Sequence, residues 1–150
     1  MKIVVTSDIH GNIEALEKVK AQNKDADLFI DAGDSELRAF QLEPFVTVRG
    51  NCDYYIKNNY RIDYAMGVNI YTTHGNGLFF NDNYLAKTAK EFGAKIAIHG
   101  HTHVPKITTV DGIHILCPGS ISYPRGKDGA TYAIIEVFSL EDIKFTIIKL

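Results

Sequence analysis

Three of the six histidines of this chain fall within one five-residue segment, His99-Gly100-His101-Thr102-His103. Imidazole is the commonest neutral metal ligand among protein side chains. His101 and His103 are two residues apart, so both rings can face one site or two adjacent sites. The apolar run Ile96-Ala97-Ile98 comes just before them, which predicts that the histidines follow a buried strand, where open α/β sheets bind ligands. The segment alone also fits a loop whose histidines only form hydrogen bonds.

Side chains that can bind metal follow four other segments that are typical of short, buried strands. A single Asp or Asn at such a place is commonly a helix cap or a turn residue. Asp34 alone would fit the cap of a short helix over Ser35–Phe40. The repetition at successive strand ends favours one shared site instead, formed by Asp8 and His10 after Lys2–Ser7, Asp34 after Asp27–Asp31, Asn51 after Phe45–Val48, and His74 after Val68–Thr73.

These side chains offer carboxylate, amide and imidazole ligands and no thiolate. Such a set suits Mn²⁺, Fe²⁺ or Zn²⁺ better than Ca²⁺ or a structural all-cysteine zinc site. Seven side chains of this kind are too many for one ion, and they suit two ions that share a carboxylate. Cys52 and Cys117 are far apart in the sequence, and free thiols in a reducing cytoplasm are the simplest interpretation.

The rest of the chain must supply the elements that position these side chains. A length of 150 residues fits a single domain over residues 1–150. Asn12 is a good N-cap for a helix after the first strand, and Asp82 is expected to cap another helix. Met66-Gly67 and Asp111-Gly112 are typical of tight hairpin turns. The last third of the chain is typical of antiparallel strands, and the predicted fold class is α/β.

Charge and hydropathy limit the classes of partner. The formal net charge is −2, so no basic surface indicates nucleic-acid binding. The apolar run at the N-terminus, Ile3-Val4-Val5, is too short for a signal peptide. No run approaches the roughly 18 apolar residues that a membrane span requires. We therefore expect a cytoplasmic protein without a membrane partner.

Five motifs, taken in chain order, resemble those of the calcineurin-like metallophosphoesterases. They are Asp8-Ile9-His10, Gly33-Asp34, Gly50-Asn51-Cys52-Asp53, Thr73-His74-Gly75 and Gly100-His101-Thr102-His103. The wider sequence, including Pro118-Gly119-Ser120, is similar to the small YfcE-like phosphodiesterase branch. The resemblance spans residues 3 to 126. It implies a four-layer α/β/β/α sandwich with two metal ions at the ends of the sheets.

The resemblance also implies which side chains hold each ion. Asp34 would bridge the two ions, because a carboxylate has two oxygens whereas an imidazole normally binds one metal. Mn²⁺ is the first expectation, with Fe²⁺, Zn²⁺ and Ni²⁺ as alternatives. Two divalent ions with two carboxylates and a bridging hydroxide keep a positive charge, which favours a phosphate ester. The first ion would take Asp8, His10, Asp34 and His103, and the second would take Asp34, Asn51, His74 and His101.

The implied activity is hydrolysis of a small phosphodiester by attack of a metal-bridging hydroxide. Asp34, Asn51, Asp53 and His74 would form the catalytic group. Cys52 stands where many members of the superfamily have a histidine that is proposed to protonate the leaving group. A thiol is a poorer acid for an alkoxide, so we expect faster hydrolysis of aryl than of alkyl diesters. Two alternatives are a phosphomonoesterase and a non-catalytic scaffold like the related retromer subunit, although no ligand type is missing here.

Other residues lie outside these ligand sets or depart from the pattern of the family. Asn76 stands where relatives often continue His-Gly-His. We expect His99 to form hydrogen bonds rather than to bind a metal, and His114 to be structural. Arg125 fits either a phosphate contact or an interface. Relatives commonly self-associate, which leaves a homo-oligomer open as well as a monomer.

Overall fold

The structure is a computed structural model that describes residues 1–77 and 81–150. In chain order its elements are β1 (Lys2–Thr6), α1 (Ile13–Gln22), β2 (Leu28–Asp31), α2 (Ala39–Leu42), β3 (Val46–Thr47), β4 (Tyr60–Ala65), β5 (Val68–Thr73), α3 (Asp82–Glu91), β6 (Ile96–Ile98), β7 (Lys106–Val110), β8 (Ile113–Cys117), β9 (Thr131–Val137) and β10 (Ile143–Lys149). The strands form two five-stranded sheets. Sheet 1 has the order β10-β9-β1-β2-β3, and sheet 2 has the order β4-β5-β6-β8-β7.

An apolar core between the two sheets holds them together. Because side chains alternate across a strand, every second residue of the central strands faces this core. Ile3, Val5 and Ile30 of sheet 1 meet Ile70 and Ile98 of sheet 2, and all are fully buried. On the outer faces, α1 packs against sheet 1 and α3 packs against sheet 2. This arrangement confirms the expected four-layer α/β/β/α sandwich.

Parallel pairing brings the strand ends that carry the candidate ligands to one edge of the sandwich. In sheet 1, β2 pairs in parallel with both β1 and β3. In sheet 2, β6 pairs in parallel with both β5 and β8. The two edges meet, since the backbone N–H of His101 donates a 3.1 Å hydrogen bond to Asp8 Oδ2. The loops after β1, β2, β3, β5 and β6 therefore share one region of space.

The alternative in which Asp34 caps a short helix over Ser35–Phe40 is wrong. Helix α2 covers only Ala39–Leu42. Asp34 and Glu36 have φ angles of 56° and 53°, in the left-handed region that a right-handed helix does not allow. Asp34 is therefore not a helix cap.

The cap predicted for the third helix is wrong by one residue. Asn81 is the N-cap of α3, because its side chain accepts a 3.1 Å hydrogen bond from Tyr84 N–H. Asp82 lies in the first turn of the helix and pairs with Lys106 at 2.7 Å instead. The N-cap predicted at Asn12 is confirmed by its 3.0 Å bond from Ala15 N–H.

The hairpin turns are confirmed, and the antiparallel character of the last third is confirmed only in part. Met66-Gly67 and Asp111-Gly112 all have positive φ angles, as the tight turns of hairpins require. The pairs β7–β8 and β9–β10 are antiparallel. However, β8 also joins β6 in parallel, because it crosses back to the middle of sheet 2. None of the helices in the described residues is long and apolar enough to cross a membrane.

Replacing Ile70 by alanine should lower the free energy of unfolding by about 2–5 kcal/mol, because the fully buried side chain leaves a cavity between the sheets. Ile107 lies in the same sheet and is 45% exposed, so Ile107→Ala is a matched control that should cost less than about 1 kcal/mol. Urea unfolding followed by circular dichroism measures both losses. Equal losses would contradict this assignment of the core.

Candidate metal centre

The loops after β1 and β6 bring three ligand side chains together. Asp8, His10 and His103 form the first cluster, whose ligand atoms all lie within 4.8 Å of one another. His103 Nε2 lies 3.1 Å from Asp8 Oδ1 and 3.4 Å from His10 Nε2. His10 Nε2 lies 3.8 Å from Asp8 Oδ1. The side chains that follow β1 and β6 thus converge on one carboxylate oxygen, Asp8 Oδ1.

A second cluster lies beside the first and consists of Asp34, His74 and His101, with ligand atoms within 4.8 Å of one another. His74 Nε2 lies 3.2 Å from Asp34 Oδ2 and 3.9 Å from Asp8 Oδ1, so this ring faces a carboxylate of each cluster. The rings of His74 and His101 meet edge to face, with centroids 5.2 Å apart. Each cluster contains three of the four side chains that the family resemblance assigns to one ion.

Hydrogen bonds at the far nitrogen fix three of the imidazole rings. The Nδ1 atoms of His10, His74 and His103 lie 2.8, 2.8 and 2.6 Å from Glu36 Oε1, Ala32 O and Tyr123 O, respectively. All three partners are oxygen acceptors, so each ring donates from Nδ1 and directs Nε2 into the clusters. Metal-binding histidines are commonly oriented in this way.

The polar atoms at the centre fit a divalent cation. Asp8 Oδ1 and His74 Nε2 are buried and have no hydrogen-bond partner among the described residues, which is costly for polar groups. The Nε2 atoms of His10 and His103 face each other at 3.4 Å, and two lone pairs at this distance repel. A cation between these atoms removes both penalties, and imidazole with carboxylate is a suitable ligand set for Mn²⁺, Fe²⁺ or Zn²⁺.

Asp34 is held in its ionised form. Burial by itself would raise its pKa, but the neighbouring His74 ring and a 2.7 Å hydrogen bond from Cys52 N–H outweigh burial and lower the pKa of Asp34 to about 2. One oxygen of the carboxylate is oriented by Cys52 N–H, and the other faces His74. Asp34 is therefore a charged, fixed ligand at neutral pH.

Asp53 acts on the loops rather than at a ligand position. Its carboxylate accepts hydrogen bonds from the backbone N–H groups of Asp34 at 2.9 Å, Gly50 at 2.7 Å and Glu36 at 2.9 Å. Both oxygens are used in this way, and Asp53 is in neither cluster. Asp53 thus ties two loops together behind Asp34, while its expected place in the catalytic group stays a prediction.

Asn51 and Cys52 lie at the exposed side of the second cluster. The side-chain nitrogen of Asn51 lies 3.4 Å from Cys52 Sγ. The amide oxygen of Asn51 is the atom that a metal ion would bind. Burial together with the nearby Asp34 charge raises the pKa of Cys52 to about 11. The thiol is therefore protonated at neutral pH and is a poor nucleophile.

The ligand loops concentrate unusual backbone conformations. Among the described residues, six of the eight non-glycine positions with positive φ lie in these loops, with angles between 46° and 69°. Such residues cost roughly 1–3 kcal/mol each and gather at functional sites. The six positions are Asp8, His10, Asp34, Glu36, His101 and His103.

Two motif glycines permit a close approach of the chain to the carboxylates. A Cβ atom at Gly100 would overlap Ser7 Oγ and would lie 3.0 Å from Asp8 Oδ2. A Cβ atom at Gly50 would overlap Asp34 Oδ1. No side chain larger than hydrogen fits at either position without displacing a ligand.

Residues 120–125 support the first cluster through hydrogen bonds. The residue types in this segment did not predict this role. Ser120 Oγ donates a 2.8 Å hydrogen bond to Asp8 O, and Ser122 Oγ donates a 2.6 Å bond to Ile9 O. The backbone of the same segment holds His103 from both sides, through Tyr123 O at 2.6 Å and the N–H of Arg125 at 3.1 Å. The signal in the sequence was Pro118-Gly119-Ser120, which only the resemblance pointed out.

His99 and His114 lie outside both clusters. His99 is buried, and its Nδ1 lies 2.9 Å from Gly100 O. His114 lies on β8, with Nδ1 3.2 Å from Thr109 Oγ1. These contacts agree with a supporting role for His99 and a structural role for His114.

Comparison with known proteins identifies relatives over nearly the whole chain. The family model of the calcineurin-like phosphoesterase superfamily domain matches residues 1–139. The probable metallophosphoesterase YsnB of Bacillus subtilis is 34% identical over 143 residues, which cover 90% of this chain and 83% of YsnB. The phosphodiesterase YfcE of Escherichia coli K12 is 25% identical over 166 residues, which cover 91% of this chain and 88% of YfcE.

Solved structures share the fold. A conserved protein of Streptococcus pneumoniae TIGR4, named as a predicted phosphoesterase, superposes with a TM-score of 0.88 at 33% identity and covers 99% of this chain and 88% of that one. Vps29 of Entamoeba histolytica, crystallised with Zn²⁺, has a TM-score of 0.74 at 18% identity and covers 99% of this chain and 98% of that one. At that identity Vps29 shows the shared fold alone. On the family match and the relatives together, this chain belongs to the calcineurin-like phosphoesterase superfamily.

Proposed function

We propose that this metallophosphoesterase is a cytoplasmic, dinuclear enzyme that hydrolyses small phosphodiesters. The observation that carries the proposal is the environment of Asp8 Oδ1, a buried oxygen without a hydrogen-bond partner among the described residues. The Nε2 atoms of His103, His10 and His74 approach it to 3.1, 3.8 and 3.9 Å. A divalent cation bound between these four atoms would be attracted to all of them at once.

Seven side chains would hold the two ions. Bound there, the ions would supply Lewis-acid stabilisation of the phosphoryl oxygens and would activate a water molecule at neutral pH. Mn²⁺ is the proposed ion, because the ligand set contains oxygen and imidazole without thiolate. The first ion would be held by Asp8, His10, Asp34 and His103, and the second by Asp34, Asn51, His74 and His101.

The other residues of the site orient these ligands and the substrate. Glu36 and the carbonyl oxygens of Ala32 and Tyr123 hold three rings by Nδ1, so that little reorganisation is needed when substrate binds. No covalent nucleophile is required when water attacks phosphorus. Cys52, with its pKa raised to about 11, does not compete with water as a nucleophile.

A cavity of about 630 Å³ beside the first cluster supports the choice of a diester. The cavity gives an ester arm a place to bind next to His10 and His103, whereas a monoester has no such arm on one side. The name of YfcE, a phosphodiesterase, supports the same choice. A non-catalytic scaffold is the second candidate, which the likeness to Vps29 raises, but all seven proposed ligands are present in this chain and six of them form the two clusters.

The first test is the hydrolysis of bis(p-nitrophenyl) phosphate and of p-nitrophenyl phosphate by the Mn²⁺-loaded protein. We expect a higher kcat/KM on the diester. His101→Ala should lower that value by at least about 100-fold, because it removes a proposed metal ligand. His114→Ala, a histidine outside both clusters, is the control and should change it by less than about 3-fold. An unchanged rate in His101→Ala would remove the two-metal proposal.

Metal binding should also stabilise the fold. Mn²⁺ at about 100 times its dissociation constant should add about 2.7 kcal/mol to the free energy of unfolding. Asp8→Asn should lose most of this gain, since the amide keeps the shape of the side chain but not its charge. Asp111→Asn, in a hairpin turn away from the clusters, should keep the full gain. Thermal unfolding with and without Mn²⁺ measures the effect, and an equal rise in Tm for both variants would argue against the site.

The protonated thiol of Cys52 should contribute little to the departure of the leaving group. We expect kcat/KM to fall steeply as the pKa of the leaving alcohol rises across a series of aryl and alkyl methyl phosphates. Cys52→Ala should reproduce the same slope, because a thiol with a pKa of about 11 is a weak proton donor. Comparable rates for aryl and alkyl diesters, or a slope that steepens in Cys52→Ala, would contradict this account.

A further inference from the structure

The cavity beside the first cluster is lined by side chains of opposite charge. His10 and His103 line it with side chains that are only 14% and 7% exposed. Glu36 and residues 122–125 complete the lining. Arg125 is exposed, whereas the ring of Tyr123 packs edge to face on His10 with centroids 5.4 Å apart. An ester arm bound beside the first cluster would therefore lie near both Glu36 and Arg125.

Arg125 carries a charge that no carboxylate balances within the described part of the chain. Glu36, the acidic residue of the cavity lining, pairs with His10 at 2.8 Å, and Asp128, three residues along the chain, pairs with Lys149 at 3.3 Å. A guanidinium group beside a metal-binding centre, with no anion of its own, is a ready partner for a negatively charged ligand.

The backbone beneath Arg125 is fixed in place. The N–H of Arg125 donates a 3.1 Å hydrogen bond to His103 O. Ser122 Oγ ties the same segment to Ile9 O at 2.6 Å. At Gly126 a Cβ atom would lie 3.1 Å from Pro105 Cδ, which shows how closely the two segments pack. The Cα position of Arg125 relative to the first cluster is therefore set by the fold, and the exposed side chain extends from this fixed point.

We infer that the cavity selects diesters whose retained arm carries a second anionic group, such as a phosphate monoester, and that Arg125 binds this group. The inference rests on the proposed phosphodiesterase function and names the class of its substrate. Arg125 presents a planar fork of donors that matches phosphate oxygens. Glu36, which also lines the cavity, repels an anion, so the charged arm should turn toward Arg125.

The experiment compares two p-nitrophenyl esters of thymidine 3′-phosphate, one with a 5′-phosphate and one without. The two diesters share their leaving group and scissile bond, and release of p-nitrophenolate by the Mn²⁺-loaded protein is measured. The wild-type protein should prefer the 5′-phosphorylated ester by roughly 10- to 100-fold in kcat/KM, as expected for hydrogen bonds between charged groups. The preference should arise mainly from a lower KM.

Three variants identify the source of the preference. Arg125→Gln should bring the ratio of the two kcat/KM values close to one. Arg125→Lys, which keeps the charge but loses the fork, should retain part of the preference. Lys127→Gln removes an exposed cation two residues away that does not line the cavity, and should keep the wild-type ratio.

The outcomes separate this inference from the proposed function. Turnover of both esters with a wild-type ratio near one, or with the same ratio in Arg125→Gln as in the wild type, would overturn the role of Arg125 and leave the phosphodiesterase in place. Equal losses on both esters in Arg125→Gln would mean that Arg125 serves the scissile phosphate instead. No turnover of either ester would contradict the proposed function itself, and the inference would fall with it.

Discussion

The site depends on one buried carboxylate oxygen, Asp8 Oδ1. His103, His10 and His74 direct Nε2 toward it at 3.1, 3.8 and 3.9 Å, and no donor among the described residues satisfies it. A buried carboxylate oxygen without a donor is costly. A divalent cation would satisfy this oxygen and the three nitrogens together. The strained backbone of the surrounding loops is what places these four atoms around one point.

The other oxygen of Asp8 joins the two sheets. Asp8 Oδ2 accepts hydrogen bonds from Ser7 Oγ at 2.7 Å and from the backbone N–H of His101 at 3.1 Å. The second bond crosses from the loop after β1 to the loop after β6, and the close passage requires Gly100, since a Cβ there would overlap Ser7 Oγ. One carboxylate therefore serves the candidate metal centre and the docking of the sheets. Occupancy of the centre should be coupled to the stability of the whole domain.

Much of the fold and of the site could be predicted from the sequence, because the candidate ligands are local to strand ends. Parallel pairing brings Asp8 and Asp34 to one edge of sheet 1, and His74 and His101 to one edge of sheet 2. The hydrogen-bond partners of Asp53 and Glu36 could not be predicted, since they are backbone and ring atoms 17 to 26 residues away. The same long-range bonds explain why no helix begins at Ser35: the carboxylate of Asp53 holds Glu36 N–H in a left-handed turn.

The segment over residues 120–125 has a backbone that is fixed by the first cluster and also carries a side chain that lines the cavity. Its backbone and its serines are committed to the first cluster, through Ser120, Ser122 and the carbonyl oxygen of Tyr123. A change in these contacts would move His103. The ring of Tyr123 also packs edge to face against His10, with centroids 5.4 Å apart. Arg125 differs, because its backbone N–H holds His103 O while its exposed side chain lines the cavity. Because a backbone hydrogen bond does not depend on the side chain that its residue carries, position 125 can change the preferred substrate while the geometry of the candidate ligands stays the same.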